Sequence, residues 1–250
     1  SYSPPFPFLN FAERHTSMTS IVICSGSDHS YFPLLREMIY SIKRFPQAAG
    51  FKFAVIDAGL TDEDRAWLKD NVDYIHAPDW PSKIAEKKAQ GKVQLKSCVC
   101  RPWINTYFPG HDIYIWMDAD TWLQDWEGMA LLIEGAKREK LAIAGQVDRC
   151  YPRAARILFL GPLPIKVTGF YYSNAKKAFG YDVAKKLYPF HVLQAGAFGL
   201  SGTAPHWKRW QELVLEAVKR GKVFTAEQLC LGILCYLEGY GLESLPAWTQ

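Results

Sequence analysis

From residue 20 to residue 75 the chain alternates short apolar runs with amphipathic stretches, and this alternation narrows its fold more than any other feature. Ser20 to Ser25 reads as a buried strand, and Gly26 to Ser30 breaks it. Phe32 to Arg44 carries Leu34, Leu35, Met38, Ile39 and Ile42 at helical spacing. Phe51 to Ile56 predicts a second strand, closed by Asp57-Ala-Gly59, where Asp57 reads as a turn former. Thr61 caps a helix from Asp62 to Asp70, with acidic residues in the first turn where the helix dipole favours them. A third strand runs from Val72 to Ile75. Strand, helix, strand, helix, strand is the pattern of a mostly parallel sheet with helices on both faces.

The same reading continues downstream. It predicts a helix over Val93 to Phe108, a strand over Ile113 to Met117 and another over Leu141 to Gly145. Residues 150–190 read as irregular apart from a helix near Asn174 to Leu187. His191 to Leu200 reads as a strand, and His206 to Lys219 and Thr225 to Leu237 as helices. With 250 residues the chain is long enough for one α/β domain, assigned to residues 18–250 behind an extended, Pro-rich segment 1–17. The absence of an initiator Met and the apolar end at Gln250 suggest a piece of a longer protein.

Composition excludes several classes. A net charge of +4 is too small to argue for nucleic acid as a partner. No run of 18 apolar residues predicts a membrane span, and the start is unlike a signal peptide. The six cysteines show neither CxxC nor zinc spacing, so all six read as reduced thiols, which places the expected location in the cytoplasm or at the inner face of a membrane. Lys83 to Lys92 reads as a solvated basic stretch; contact with an anionic acceptor or a lipid headgroup is the minor reading.

Asp118-Ala-Asp120 follows the most apolar strand directly. In open α/β sheets ligands bind beyond the carboxyl ends of the strands. If the backbone stays extended, both carboxylates fall on one side, where they repel each other unless a cation intervenes. Oxygen ligands suit Mg²⁺ or Mn²⁺, and such an ion offsets the charge of a departing diphosphate. Haloacid-dehalogenase-type phosphatases also carry Asp-x-Asp after a strand, but with Thr two positions beyond the second Asp, where this chain has Trp122. A second copy, Asp62-Glu-Asp64, is explained by a helix first turn.

The run Tyr114-Ile-Trp-Met-Asp-Ala-Asp-Thr-Trp-Leu123 resembles the "YLDADT" stretch of GT-A-fold glycosyltransferases, above all family 8 with glycogenin and the bacterial lipopolysaccharide glycosyltransferases. Met38 to Lys43 resembles that family's early "SL" helix, His191 to Leu200 its "NAGVFLI" strand, and Phe224 to Leu231 its "DQDxLN" segment. The resemblance spans most of residues 20–240 and implies a GT-A, Rossmann-like fold. It implies a retaining transfer of sugar from a UDP-sugar donor to a glycan or glycolipid acceptor, using Mn²⁺ or Mg²⁺ and with peripheral contact to a membrane. Asp118 and Asp120 would hold the metal, with Asp118 also meeting the ribose. Ser25, Gly26 and Asp28 would receive uracil and ribose. Lys96 or Arg101 would stand near the donor, Gln194 and Gly196 near sugar or acceptor, and Glu227 and Gln228 beside the anomeric carbon.

The departures are Gln194 for Asn, Glu227 for Asp, Leu229 for a second Asp, and no His after the Glu-Gln pair to complete a metal shell. Each candidate also has a structural reading: a salt bridge for Arg101, helix N-terminal stabilisation for Glu227, packing for Trp116 and Trp122, and packing or surface positions for His191 and His206. Two other functions fit the same residues. A sugar nucleotidyltransferase usually carries a Gly-rich, basic loop after its first strand, which Ser25 to Ser30 is not. A non-catalytic nucleotide-sugar-binding domain of a polysaccharide-assembly protein accommodates the missing His.

Overall fold

A computed structural model describes residues 19–147 and 155–249. The expected extended segment 1–17 and Cys150 lie outside the described residues. The first half follows the alternation: β1 (Ile21–Ser27), α1 (Phe32–Lys43), β2 (Lys52–Asp57), α2 (Asp62–Asn71) and β3 (Tyr74–His76). In α1 the residues buried against the sheet include Leu35, Met38, Ile39 and Ile42, a stripe at three- and four-residue spacing, whereas Leu34 turns outward. In α2, Thr61 and Asp64 form a reciprocal capping box, so the second Asp-x-Asp serves the helix end.

Residues 93–108 do not form the single helix expected. After α3 (Lys83–Ala89) the chain makes α4 (Lys96–Val99), a 3₁₀ turn at Arg101–Trp103 and α5 (Ile104–Tyr107). Pro102 is the cause: it has no N–H to donate and disfavours helical backbone at Arg101. Next come β4 (Ile113–Met117), α6 (Trp126–Lys137) and β5 (Leu141–Gly145). Part of the segment read as irregular is an antiparallel hairpin of β6 (Ala155–Leu160) and β7 (Leu163–Gly169), with Leu158, Phe159, Leu160 and Leu163 exposed. Then follow α7 (Phe170–Ala178), α8 (Tyr181–Leu187), β8 (Leu193–Ser201), α9 (His206–Arg220), α10 (Val223–Gly232) with a π turn at Ile233–Leu237, and β9 (Leu242–Leu245). Strand β9 is not expected from the sequence, because its four residues are too few for a periodic signal.

The strands form a seven-stranded sheet in the order β3-β2-β1-β4-β8-β5-β9. All neighbours pair in parallel except β8, which runs antiparallel to both β4 and β5. β1 and β4 are buried throughout, which is why each reads as a continuous apolar run. Alternation divides their side chains between two cores. Ile23, Ile113, Ile115 and Met117 face α1 and α6; Cys24, Tyr114 and Trp116 face α9 and α10.

β8 and α6 approach closely at Gly199, where a Cβ would stand 2.5 Å from the carbonyl oxygen of Leu132. Gly199→Ala is therefore expected to lower stability by about 1–3 kcal/mol. An unchanged urea midpoint would show that α6 shifts freely.

Candidate active site

Strand β4 ends at Met117, and its parity sends Asp118 to the Trp116 side of the sheet. The backbone then turns instead of staying extended. Thr121 N donates to the Asp118 carbonyl at 3.1 Å, and Thr121 Oγ1 donates to the same oxygen at 2.7 Å. Asp120 thus reaches the site through a turn and not through the pleat of an extended backbone. Both carboxylates line a cleft of about 440 Å³ beyond the carboxyl ends of β1 and β4.

Arg101 is the hub of this cleft. Its side chain is 6% exposed. Nη2 donates to Asp118 Oδ1 at 2.6 Å, Nη1 to the Ala195 carbonyl at 2.9 Å, and Nε to the Ser97 carbonyl at 3.0 Å. Nη1 also stands 3.2 Å from Glu227 Oε1, and the guanidinium lies over the Trp116 ring at 4.7 Å. A planar fork with five donors satisfies these partners at once, which an ammonium does not. The break at Pro102 turns the chain so that Arg101 points under the end of the sheet. The salt bridge expected of Arg101 is present, and the same side chain lines the cleft.

Asp118 Oδ1 also accepts from Trp116 Nε1 at 2.8 Å, while Oδ2 faces Gly196, where a Cβ would come within 3.2 Å. Gly196 leaves that oxygen open to the cleft, and its own carbonyl accepts from Asp118 N at 2.7 Å. Burial first, and then the charge of Asp120, hold the Asp118 carboxyl above its ordinary value against the pull of Arg101 and Trp116.

Glu227 is buried, accepts from the Gln228 amide, and is pushed up to about 7 by burial against the pull of Arg101. It sits within α10 and not in a solvated first turn, so simple helix-end stabilisation does not describe it. The folded chain holds this proton up to about 7 and the unfolded chain releases it near 4.5. Between those values the folded state binds more protons, so the Glu227 contribution is complete below 4.5 and fades as pH rises through about 7. Urea midpoints from pH 5 to pH 8 should therefore fall for the native protein relative to Glu227→Gln. A constant difference between the two would refute the assignment.

Gln228 Nε2 donates to the Leu193 carbonyl at 2.8 Å, which leaves its oxygen toward the cleft. Gln194 Oε1 accepts from Gln146 Nε2 at 2.7 Å. Gln146, at the end of β5, also lines the cleft and was missed from sequence because no motif marks it. Gly26 and Asp28 also line the cleft, together with Ser27 and Tyr31. A Cβ at Gly26 would meet Ser97 Cβ at 2.9 Å, so glycine permits α4 to close on β1.

Two expected residues do not line the cleft. Ser25 has the parity of Ile23 and is buried on the other side of the sheet, its hydroxyl unpartnered among the described residues. Lys96 Nζ donates to the Pro78 carbonyl at 2.7 Å and lies over Trp80. Outside the cleft, Trp116 is core as expected, but Trp122 is 56% exposed and not packed. His206 is buried, and one of its ring nitrogens meets the Gly241 carbonyl at 2.9 Å. Asp57 accepts from the amides of Gly59 and Leu60, the turn role expected of it.

No protein-family model and no curated protein matches the sequence. Solved structures do match the fold. Galactosyltransferase LgtC in complex with donor and acceptor sugar analogues has a TM-score of 0.55 and 16% identity, covering 85% of this chain and 70% of that one. The bifunctional glycosyltransferase WbbM has a TM-score of 0.62 and 14% identity, covering 92% of this chain and 39% of that one. Core-mannan synthase A from Aspergillus fumigatus, in its Mn/GDP form, has a TM-score of 0.50 and 9% identity, covering 88% and 70%. The fold is GT-A.

In this GT-A chain the cleft is electrostatically unbalanced. Asp28, Asp118, Asp120 and Glu227 line it, and Arg101 is the one cationic side chain among its described lining residues. A diphosphate entering there meets net negative charge, and a divalent cation is the group that reverses this. Asp118 Oδ2 and the Asp120 carboxylate make no hydrogen bond among the described residues, so both are free to ligate. No group of three or more His, Cys, Asp or Glu side chains arranged to hold a metal occurs among the described residues. The donor set fits a divalent cation that Asp118 and Asp120 would hold, since Mg²⁺ is commonly bound by one or two carboxylates together with water and ligand oxygens.

Proposed function

We propose that the chain is a glycosyltransferase that moves a sugar from a UDP-sugar to a glycan or glycolipid acceptor with retention, on one domain spanning residues 18–250. The observation that carries this reading is the Asp118–Arg101–Glu227 cluster, set in a cleft at the carboxyl edge of a GT-A sheet. Asp118 and Asp120 hold Mn²⁺ or Mg²⁺, which would neutralise the departing diphosphate. Gly26 and Asp28 receive the nucleoside at the end of β1. Arg101 fixes the orientation of Asp118 and keeps its Oδ2 directed at the cleft.

The Gln228 oxygen faces the reacting sugar as a weak nucleophile or as an electrostatic support for positive charge at the anomeric carbon. Gln194, held by Gln146, and Gly196 lie toward the sugar or acceptor. Among the described helices none is long and apolar enough to cross a membrane. A glycolipid acceptor would be met by peripheral contact, and the inner face of a membrane is the place that reduced cysteines favour.

Calorimetric titration with UDP and a panel of UDP-sugars tests this reading. Binding is expected with Mn²⁺ and should be lost when the metal is chelated. Equal affinity with and without metal, or release of pyrophosphate from a nucleoside triphosphate and a sugar phosphate, would replace it with a binding domain or a nucleotidyltransferase.

A further inference from the structure

A second cavity of about 320 Å³ adjoins the acidic cleft, and its charge is the opposite. Lys88, Lys92, Lys177 and Lys222 converge on it from α3, the loop after α3, α7 and the start of α10. No acidic residue lines it, and among the described residues none of the four lysines makes an ion pair. Leu95 and Phe224 line both cavities, so they form the ridge between them. Phe224 is 64% exposed and stands at the shared rim.

Like charges held together without a counter-ion destabilise a fold unless something offsets them. Lys88 is partly compensated: its Nζ donates to the carbonyls of Lys219 and Gly221, at 2.8 and 3.1 Å, at the end of α9. Its ammonium is held below its ordinary value by burial first and then by the charge of Lys177. Lys92, Lys177 and Lys222 make no side-chain hydrogen bond among the described residues, so their donors are free. Ammonium groups on flexible stems serve phosphate as point charges.

Building on the glycosyltransferase reading, we propose that this lysine cavity is the acceptor's anion subsite. It takes a phosphate ester carried by the acceptor, while the acceptor's sugar hydroxyl passes the Leu95–Phe224 ridge into the cleft. The acidic cleft repels such a group and the neighbouring cavity attracts it. The two cavities together orient an acceptor that is neutral at one end and anionic at the other. The phosphate belongs either to a soluble sugar phosphate or to a lipid-linked sugar.

The double variant Lys92→Gln/Lys222→Gln tests the assignment and leaves the Lys88 contact at the end of α9 intact. Four probes are titrated into the full chain: glucose 6-phosphate, glucose, vesicles containing an anionic phospholipid, and UDP with Mn²⁺. Glucose 6-phosphate or the vesicles should bind the native protein, glucose should not, and the double variant should weaken that binding about tenfold or more. UDP affinity in Mn²⁺ should be the same for both proteins. Weakening with the sugar phosphate identifies a soluble acceptor, and weakening with vesicles alone identifies a lipid-linked one; both support the subsite. Unchanged affinity for both anionic probes, with UDP binding intact, overturns it and spares the glycosyltransferase reading. Loss of metal-dependent UDP binding in the native protein removes that reading and the acceptor assignment with it.

Discussion

Arg101→Met should destabilise the protein by about 3–5 kcal/mol, the cost of leaving buried charges without their partner. Methionine keeps the apolar stem against Trp116 but removes every donor. Asp118 Oδ1 and Glu227 Oε1 then lose the guanidinium, and the carbonyls of Ser97 and Ala195 lose a hydrogen bond each. Against a typical domain stability of roughly 5–15 kcal/mol, such a loss is a large share of the whole. It should grow as pH rises, because Glu227, pushed up to about 7, escapes part of the cost by holding its proton. The double variant Arg101→Met/Glu227→Gln should recover part of the loss by removing one of the stranded carboxylates. Urea denaturation followed by tryptophan fluorescence reads all three proteins. A loss below about 1 kcal/mol would mean that Arg101 is an exposed-type ion pair and not the hub of the site.

Asp120→Ala should act on activity in the opposite proportion. Asp120 is exposed, and its carboxylate makes no hydrogen bond among the described residues, so stability should move by no more than about 0.5 kcal/mol. Transfer, however, should fall by about 10²- to 10³-fold, the scale on which loss of one group stabilising a developing charge is felt. Metal-dependent UDP affinity should disappear in the same variant. Asp118→Asn is less informative, because Asp118 also accepts from Arg101 and Trp116, so a loss of activity there mixes ligation with packing. Sugar transfer, UDP affinity in Mn²⁺ and a thermal melt on Asp120→Ala separate the two effects. Unchanged affinity in a folded Asp120→Ala would remove the carboxylate pair as the metal site.

The two predictions divide the cluster by burial. Arg101 lies beneath the sheet edge, and its first duty is to balance charges that folding has taken out of water. Asp120 lies at the mouth, where solvation costs the fold nothing and the side chain is free for a ligand. Asp118 sits between them, with one oxygen committed to the protein and the other open. In such a site the inner groups set the geometry and the outer groups are left open to a ligand.

The parallel framework was legible in the sequence because each of its elements carries a local signal. β1 and β4 are buried on both faces and read as unbroken apolar runs; α1 and α9 carry a helical stripe; Thr61 and Asp64 announce the start of α2. The place of Asp118 at the end of β4 followed from that framework. What the sequence did not carry was anything that depends on a partner distant along the chain. Ser25 and Gly26 are adjacent in sequence, yet one residue of pleat puts them on opposite sides of the sheet. Pro102 breaks the helix that the apolar pattern of residues 93–108 predicts, and Arg101 beside the break reaches Asp118. Gln146 has no motif at all, and of the lysine cavity the sequence marks only Lys88 and Lys92, within the basic stretch Lys83 to Lys92; Lys177 and Lys222 join them from α7 and the start of α10. Sequence alone determined the alternation from β1 to β3, the strands β4, β5 and β8 and the acidic exit of β4, because hydrophobic periodicity and turn chemistry act over a few residues. Only the tertiary structure decided which charges are paired, which oxygen of Asp118 is free and where four lysines meet, because those depend on long-range packing and on how far each group is removed from water.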